Sequence, residues 1–147
     1  MPSGLFILTA QHEDRRLGML TAWVQQVCFE PPLVTVAVAK GRAIMPLISE
    51  SRRFALCQLG NNDRTIMRKF AGSIDPNDDP FLGYDLMPGA LPNLPILRAC
   101  IAHMECELTC HMDVEGDHDL FVGTVLAGQI HRDETPAIHL RTNGFEY

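Results

Sequence analysis

Short apolar runs follow one another along this 147-residue chain at intervals too short for crossover helices between most of them, which argues against an alternating βαβ architecture. Gly4 to Ala10 (GLFILTA) and Gly18 to Val27 (GMLTAWVQQV) read as strands on either side of a charged turn, Gln11 to Arg16. Pro31 and Pro32 lack ladder donors and stop the second run. Leu33 to Ala39 (LVTVAVA) then reads as a strand buried on both faces, and Phe54 to Leu59 as another. Ile101 to Val114 alternates: Ala102, Met104, Cys106, Leu108, Cys110 and Met112 share one parity, and His103, Glu105, Glu107, Thr109 and His111 the other. That pattern predicts a half-buried strand with a polar outer face. Glu115 to Asp119 reads as a turn, Leu120 to Ile130 as its hairpin partner, and Ala137 to Arg141 as a last short strand.

Only two helices interrupt this series. One is predicted over Ala43 to Arg53, with Pro46 tolerable near its first turn. The other spans Arg64 to Ala71, with N-cap chemistry supplied by Asn61-Asn62-Asp63 and Gly72 ending it. The expected fold is therefore mainly β, a barrel or sandwich with short flanking helices, formed by a single domain over residues 1–147. A chain of about 150 residues buries roughly two-thirds of its unfolded surface, so it needs no disulfide or metal staple.

Composition narrows the function. A formal charge of -6 argues against a nucleic-acid or anionic-membrane partner. No apolar run approaches the roughly 20 residues of a membrane span. Leu5 to Ala10 has no basic residue before it and is followed by His12-Glu13-Asp14-Arg15-Arg16, unlike a signal peptide. Cytoplasmic location is the expectation, with five reduced cysteines, Cys28, Cys57, Cys100, Cys106 and Cys110, mainly packing the core. Rossmann, P-loop, GxSxG and HExxH motifs are missing from the sequence. His103, Cys106, Cys110 and His111 have spacings reminiscent of a zinc site. Strand parity puts the two cysteines and the two histidines on opposite faces, so no metal site is expected.

Two features point toward binding. Lys40-Gly41-Arg42 lies between a strand end and a helix N-terminus, where two cations and unpaired N–H groups suit an anion; a solvated strand end is the plain alternative. The stretch from Ser73 to Pro95 holds five of the ten prolines. At about 23 residues it is longer than an ordinary connector, so it is expected to cover a site.

The segments GLFILTA, GMLTAWVQQVCFEPPLVTVAVAKGRA, RRFALCQLG, HMECEL and EGDHDLFVGTV, with the helix ending Lys69-Phe70-Ala71, stand in the order seen in flavin reductase-like proteins. The whole chain resembles that family's FMN-binding, Greek-key split β-barrel. Trp23, Gln26 and Ala37 to Ala43 particularly resemble the flavin reductase module of diflavin flavoproteins. The resemblance implies a homodimer that holds FMN (or FAD) without a covalent bond and transfers hydride from NADH or NADPH to the flavin. It implies cofactor contacts from Met19, Leu20, Thr21, Ala22 and Trp23 along the flavin, and from Ala39, Lys40 and Arg42 at its phosphate. His118, in a Gly-Asp-His turn, would be catalytic at the nicotinamide. Phe70 and the Ser73 to Pro95 loop would border the dinucleotide entrance.

Some residues depart from the family pattern. Trp23 and Ala43 stand where many members carry hydroxyl side chains, which leaves phosphate binding to Lys40, Arg42 and backbone amides. Read without the resemblance, Trp23 suits a core position and His118 a solvated turn. Two activities fit: an NAD(P)H:flavin oxidoreductase supplying an oxygenase or other acceptor, and a flavoredoxin-like carrier that keeps its FMN and passes electrons to a redox protein. A split barrel that has lost its flavin is a third reading.

Overall fold

A computed structural model describes residues 1–141. Its strands are β1 (Ser3–Gly4), β2 (Phe6–His12), β3 (Arg15–Thr21), β4 (Val24–Cys28), β5 (Leu33–Ala39), β6 (Arg53–Gln58), β7 (Leu86–Met87), β8 (Ile96–Leu97), β9 (Ala102–Asp113), β10 (His118–Ile130) and β11 (Ile138–His139). Two helices, α1 (Ile44–Ser51) and α2 (Arg64–Ala71), lie on either side of β6 in the chain. Seven strands form one antiparallel sheet in the order β3-β2-β6-β9-β10-β5-β4. The single strand expected over Gly18 to Val27 is in fact two, broken at Ala22 and Trp23.

That break shapes the molecule. β3 and β4 are consecutive in the chain, yet they occupy opposite edges of the sheet. A flat seven-stranded sheet would hold its edges roughly 28 Å apart at about 4.8 Å per strand. The three Cα steps from Thr21 to Val24 cover at most about 11 Å. The sheet must therefore curl until its edges meet, which makes it a barrel. No ladder joins β3 to β4 among the described residues, so the barrel is split along this seam.

The barrel interior is filled by Leu8, Leu17, Val34, Val36, Val38, Phe54, Leu56, Cys106, Leu108 and Phe121, with Ile44, Leu47 and Ile48 of α1 packed among them. The outer faces of β2 and β6 are covered by a second apolar layer, in which Ile7, Ala55 and Cys57 meet Ile66 and Phe70 of α2 and Phe81, Leu94 and Ile96. Residues 73–95 thus serve mainly as cover for this face. Thr9 donates from Oγ1 to the Pro95 carbonyl at 2.6 Å, and Arg16 grips Asp79 through Nε and Nη2 at 2.7–3.0 Å.

This cover corrects the expected polar outer face of β9. His103 and Glu105 lie on it, opposite Cys57 and Ala55, and are only 5% and 1% exposed. Glu105 accepts the backbone N–H groups of Ala90 and Leu91 at 2.9 and 2.6 Å and sits 3.2 Å from His103 Nε2. A buried carboxylate is tolerated there because three donors surround it. His103 Nδ1 lies 2.7 Å from His131 Nε2, so this histidine is a stacked, paired group and not a solvated one. Cys57, Cys100 and Cys106 are buried as expected, whereas Cys110 is exposed. β5 departs as well, for its buried residues alternate: Val34, Val36 and Val38 face inward, and the intervening side is only partly covered. Asp63 stands at the N-cap of α2 without capping through its side chain; its Oδ2 accepts the Gly60 N–H at 2.8 Å instead.

Two predictions test this packing. A Cβ on Gly123 would lie 2.5 Å from Cζ of the buried Phe54 and 2.9 Å from Cys106 Cβ, so Gly123→Ala is expected to lower stability by about 1–3 kcal/mol in urea unfolding. The Arg16 guanidinium holds the Asp79 carboxyl below its usual range. A depressed carboxylate stabilises the fold above its unfolded pKa and ceases to do so as pH falls through the folded value. Asp79→Asn should therefore destabilise the protein at pH 7, with the difference from wild type narrowing below about pH 4.

Candidate functional site

The seam of the barrel opens into a cleft of about 460 Å³. Met19, Leu20 and Thr21 from the end of β3 form one wall, and Ala22 and Trp23 of the link form the next. Ala37 and Ala39 of β5 and His118 of β10 lie opposite, while Leu5, Arg42, Ala71 and His139 complete the rim. The register explains this gathering: His118 pairs with Ala39, and the Ala37 N–H donates to the Trp23 carbonyl at 3.1 Å. The small side chains come from the face of β5 that the interior does not use. With Ala22, Ala37, Ala39 and Ala71 in the lining the walls are low, which suits a flat aromatic ligand, and the volume lies within the roughly 300–1,000 Å³ of small-molecule sites.

Trp23 and His118 stand together, ring centroids 4.7 Å apart and planes tilted by 56°. Arg141 approaches the Trp23 ring at 4.8 Å, a cation–π contact. His118 Nδ1 lies 2.8 Å from Asp117 Oδ1. A carboxylate only accepts, so the proton belongs on Nδ1 and Nε2 is the ring's other functional nitrogen. The same hydrogen bond holds the Asp117 carboxyl below its ordinary value.

Arg42 is exposed and lines both this cleft and a smaller adjoining pocket of about 100 Å³ between the start of α1 and the end of α2. Gly41 makes this possible. Its φ of +83° turns the chain sharply between β5 and α1.

Of the residues nominated from sequence, Met19, Leu20, Thr21, Ala22, Trp23, Ala39, Arg42 and His118 are brought to this one cleft. Two are not. Phe70 is buried under Phe81 and Tyr84 and reaches only the small adjoining pocket, together with Ile74. Lys40 does not line the cleft: its Nζ donates to Asp113 Oδ1 at 2.7 Å and lies 3.6 Å from Asp119 Oδ1. The cause is strand alternation, because Lys40 continues the parity of Val36 and Val38 and so turns away from the face of Ala37 and Ala39. The loop over residues 73–95 likewise supplies no wall of the larger cleft. Conversely, sequence reading missed Leu5, Ala37, Ala71 and His139. The alternation that yields Ala39 would also have yielded Ala37. Leu5 and His139 reach the rim because β1 pairs with β11 across the length of the chain, which leaves no local signal.

Gly41→Ala should lower stability by about 1 kcal/mol, since an L-residue at that φ is strained even in open space. Gly116→Ala in the β9–β10 turn is the control. It has no positive φ and only a 4.0 Å neighbour, so its midpoint in thermal unfolding should hardly move.

A family model described as the flavin reductase like domain matches residues 1–146. The chain is 39% identical over 149 aligned residues to a diflavin flavoprotein of Nostoc sp., covering all of this chain and 26% of that one. It spans about a quarter of the length of the curated relatives it matches. Among solved structures it is similar to the NADH:FAD oxidoreductase of Streptomyces globisporus, with a TM-score of 0.87 at 25% identity over 94% of this chain and 81% of that one. It is also similar to the FMN-binding protein from Thermus thermophilus, with a TM-score of 0.80 at 25% identity over 88% and 71% of the two chains.

Proposed function

Because this chain belongs to the flavin reductase-like family, we propose that its seam cleft holds FMN and that it acts as an NAD(P)H-dependent flavin reductase. The observation that carries this reading is the cleft itself: low alanine walls, a Trp23–His118 pair at one side and an exposed arginine at the rim. A bound flavin would supply the hydride and electron chemistry.

The chain's own part is to bind and orient. Ala22, Ala37 and Ala39 admit a planar ring, and Met19, Leu20 and Trp23 exclude water from it. Arg42, at the rim, meets the phosphate without help from Lys40. His118, with Nδ1 held by Asp117, presents Nε2 toward the nicotinamide of NADH or NADPH, where it orients the ring. No helix among the described residues is long and apolar enough to cross a membrane, in keeping with a cytoplasmic enzyme. We place a second copy of the chain in the working unit, as a homodimer: β4 is an edge strand, and Val27 and Phe29 at its end are exposed.

A second reading has a specific support. The named relatives are diflavin flavoproteins of which this chain matches one quarter, which suits a carrier that keeps its FMN and exchanges electrons with a protein partner. Steady-state NADH oxidation with excess added FMN separates the two. Robust turnover that rises with FMN concentration establishes the reductase, and its absence in a protein that retains FMN favours the carrier.

Arg42→Ala should raise the Kd for FMN by roughly tenfold at low ionic strength and by less at high salt, where screening already weakens the charge interaction. Fluorescence titration of FMN at two salt concentrations measures this. His118→Ala should lower NADH turnover more than FMN affinity, and an equal loss in both would make His118 a structural residue of the turn.

A further inference from the structure

His118 reaches the cleft from the first position of β10, directly after an exposed turn. Something must hold that turn still. We propose that Lys40 is the positioning residue for His118, fastening both sides of the β9–β10 turn to the end of β5.

Three contacts of one residue make the fastening. The Lys40 ammonium donates to Asp113 Oδ1 at 2.7 Å, on the strand entering the turn. Its backbone N–H donates to the Asp117 carbonyl at 2.9 Å, on the side leaving it. Its charge also stands 3.6 Å from Asp119 Oδ1, one residue beyond His118. Asp113 extends the hold by accepting the Glu115 N–H at 2.7 Å, within a turn whose Glu115 has φ 59°. Asp117, anchored through its carbonyl, in turn holds His118 Nδ1 at 2.8 Å.

Asp119 shows why a cation belongs at this place. It is 6% exposed, with Oδ2 at 2.7 Å from His111 Nε2 and Oδ1 without a hydrogen-bond partner. Lys40 is the cation facing that oxygen. Removing it would leave a buried carboxylate poorly balanced, and such a group moves toward solvent. Asp119 and His118 are adjacent on one strand and point to opposite faces, so displacement of one displaces the other. Lys40 thus acts on the cleft from behind the strand. Its engagement with two carboxylates is also what keeps it from the ligand's phosphate.

The inference rests on the reading that His118 works at the nicotinamide, and its test separates the two. Trp23 is the chain's only tryptophan and lies against His118. Contact with the imidazole sets the surroundings of the indole, so the difference in Trp23 emission between wild type and His118→Ala at one fixed pH is the step that reports whether His118 is in place. In the full chain without added flavin, Lys40→Met and Asp113→Asn should reduce this step to about half or less, while Lys40→Arg keeps it. The same two variants should bind FMN within about twofold of wild type and lower NADH turnover on the order of tenfold through misplacement of His118. Asp113→Asn lies in an exposed turn and serves if Lys40→Met does not fold. A full-size step in both variants would overturn the proposal, as would a tenfold loss of FMN affinity with the step intact, which would return Lys40 to the phosphate. If the step shrinks as expected but His118→Ala turns over normally, the fastening stands and the catalytic reading of His118 falls.

Discussion

Thr21 and Val24 end and begin the two edge strands of a seven-stranded sheet, with only Ala22 and Trp23 between them. The short tether cannot cross an open sheet, so closure is imposed by chain length before any side chain is considered. It also fixes where closure stays incomplete. Two residues cannot carry a ladder, and the edges therefore meet without pairing. The cleft lies at this gap, with the tether as part of its wall.

From the seam, each strand divides its work by parity. On β5, Val34, Val36 and Val38 fill the interior, while Ala37 and Ala39 are left to the cleft. On β10, His118 joins Ala39, and Asp119 joins Val38. Substitutions on the inward set should thus act on stability, and those on the outward set on ligand binding. β2 and β6 do not divide in this way, because α2 and residues 73–95 cover their second face with Ile66, Phe70, Phe81 and Ile96.

Sequence reading recovered the features whose signals are local. α2 falls over Arg64–Ala71 as expected, and the β9–β10 hairpin shows in its alternation and turn. It failed where burial was decided by residues distant in the chain. His103 and Glu105 look like an outer polar face until Ala90 and Leu91 bring their N–H groups onto the carboxylate. The long loop does cover something, but that is the back of β2, β6 and β9. The break at Ala22 and Trp23 has no glycine or proline to announce it; only the pairing of β3 and β4 with different partners forces it. The lining of the cleft was legible largely through family resemblance, and Lys40, nominated beside Ala39 and Arg42, does not line it because neighbours on a strand point to opposite faces.

The placement of Lys40 outside the cleft bears on the protein's charge. With a formal charge of -6, the chain must still offer a local cation if it is to hold a phosphorylated ligand. Two basic residues bracket Gly41, and the turn sends them apart. Lys40 leaves β5 on the inward parity and meets Asp113 and Asp119, which raise its affinity for its proton and keep it charged. Past the left-handed glycine, Arg42 returns to the outward side and reaches the cleft. A guanidinium suits that duty, since its planar fork can take two phosphate oxygens at once, whereas an ammonium acts as a compact charge that two carboxylates can share. Exchanging the two residues would therefore not be neutral even though composition and net charge stay the same. A lysine at the rim would lose the bidentate grip. On the proposed reading the acidic residues gathered at this turn belong to the anion site, because by engaging Lys40 they leave Arg42 to a phosphorylated ligand.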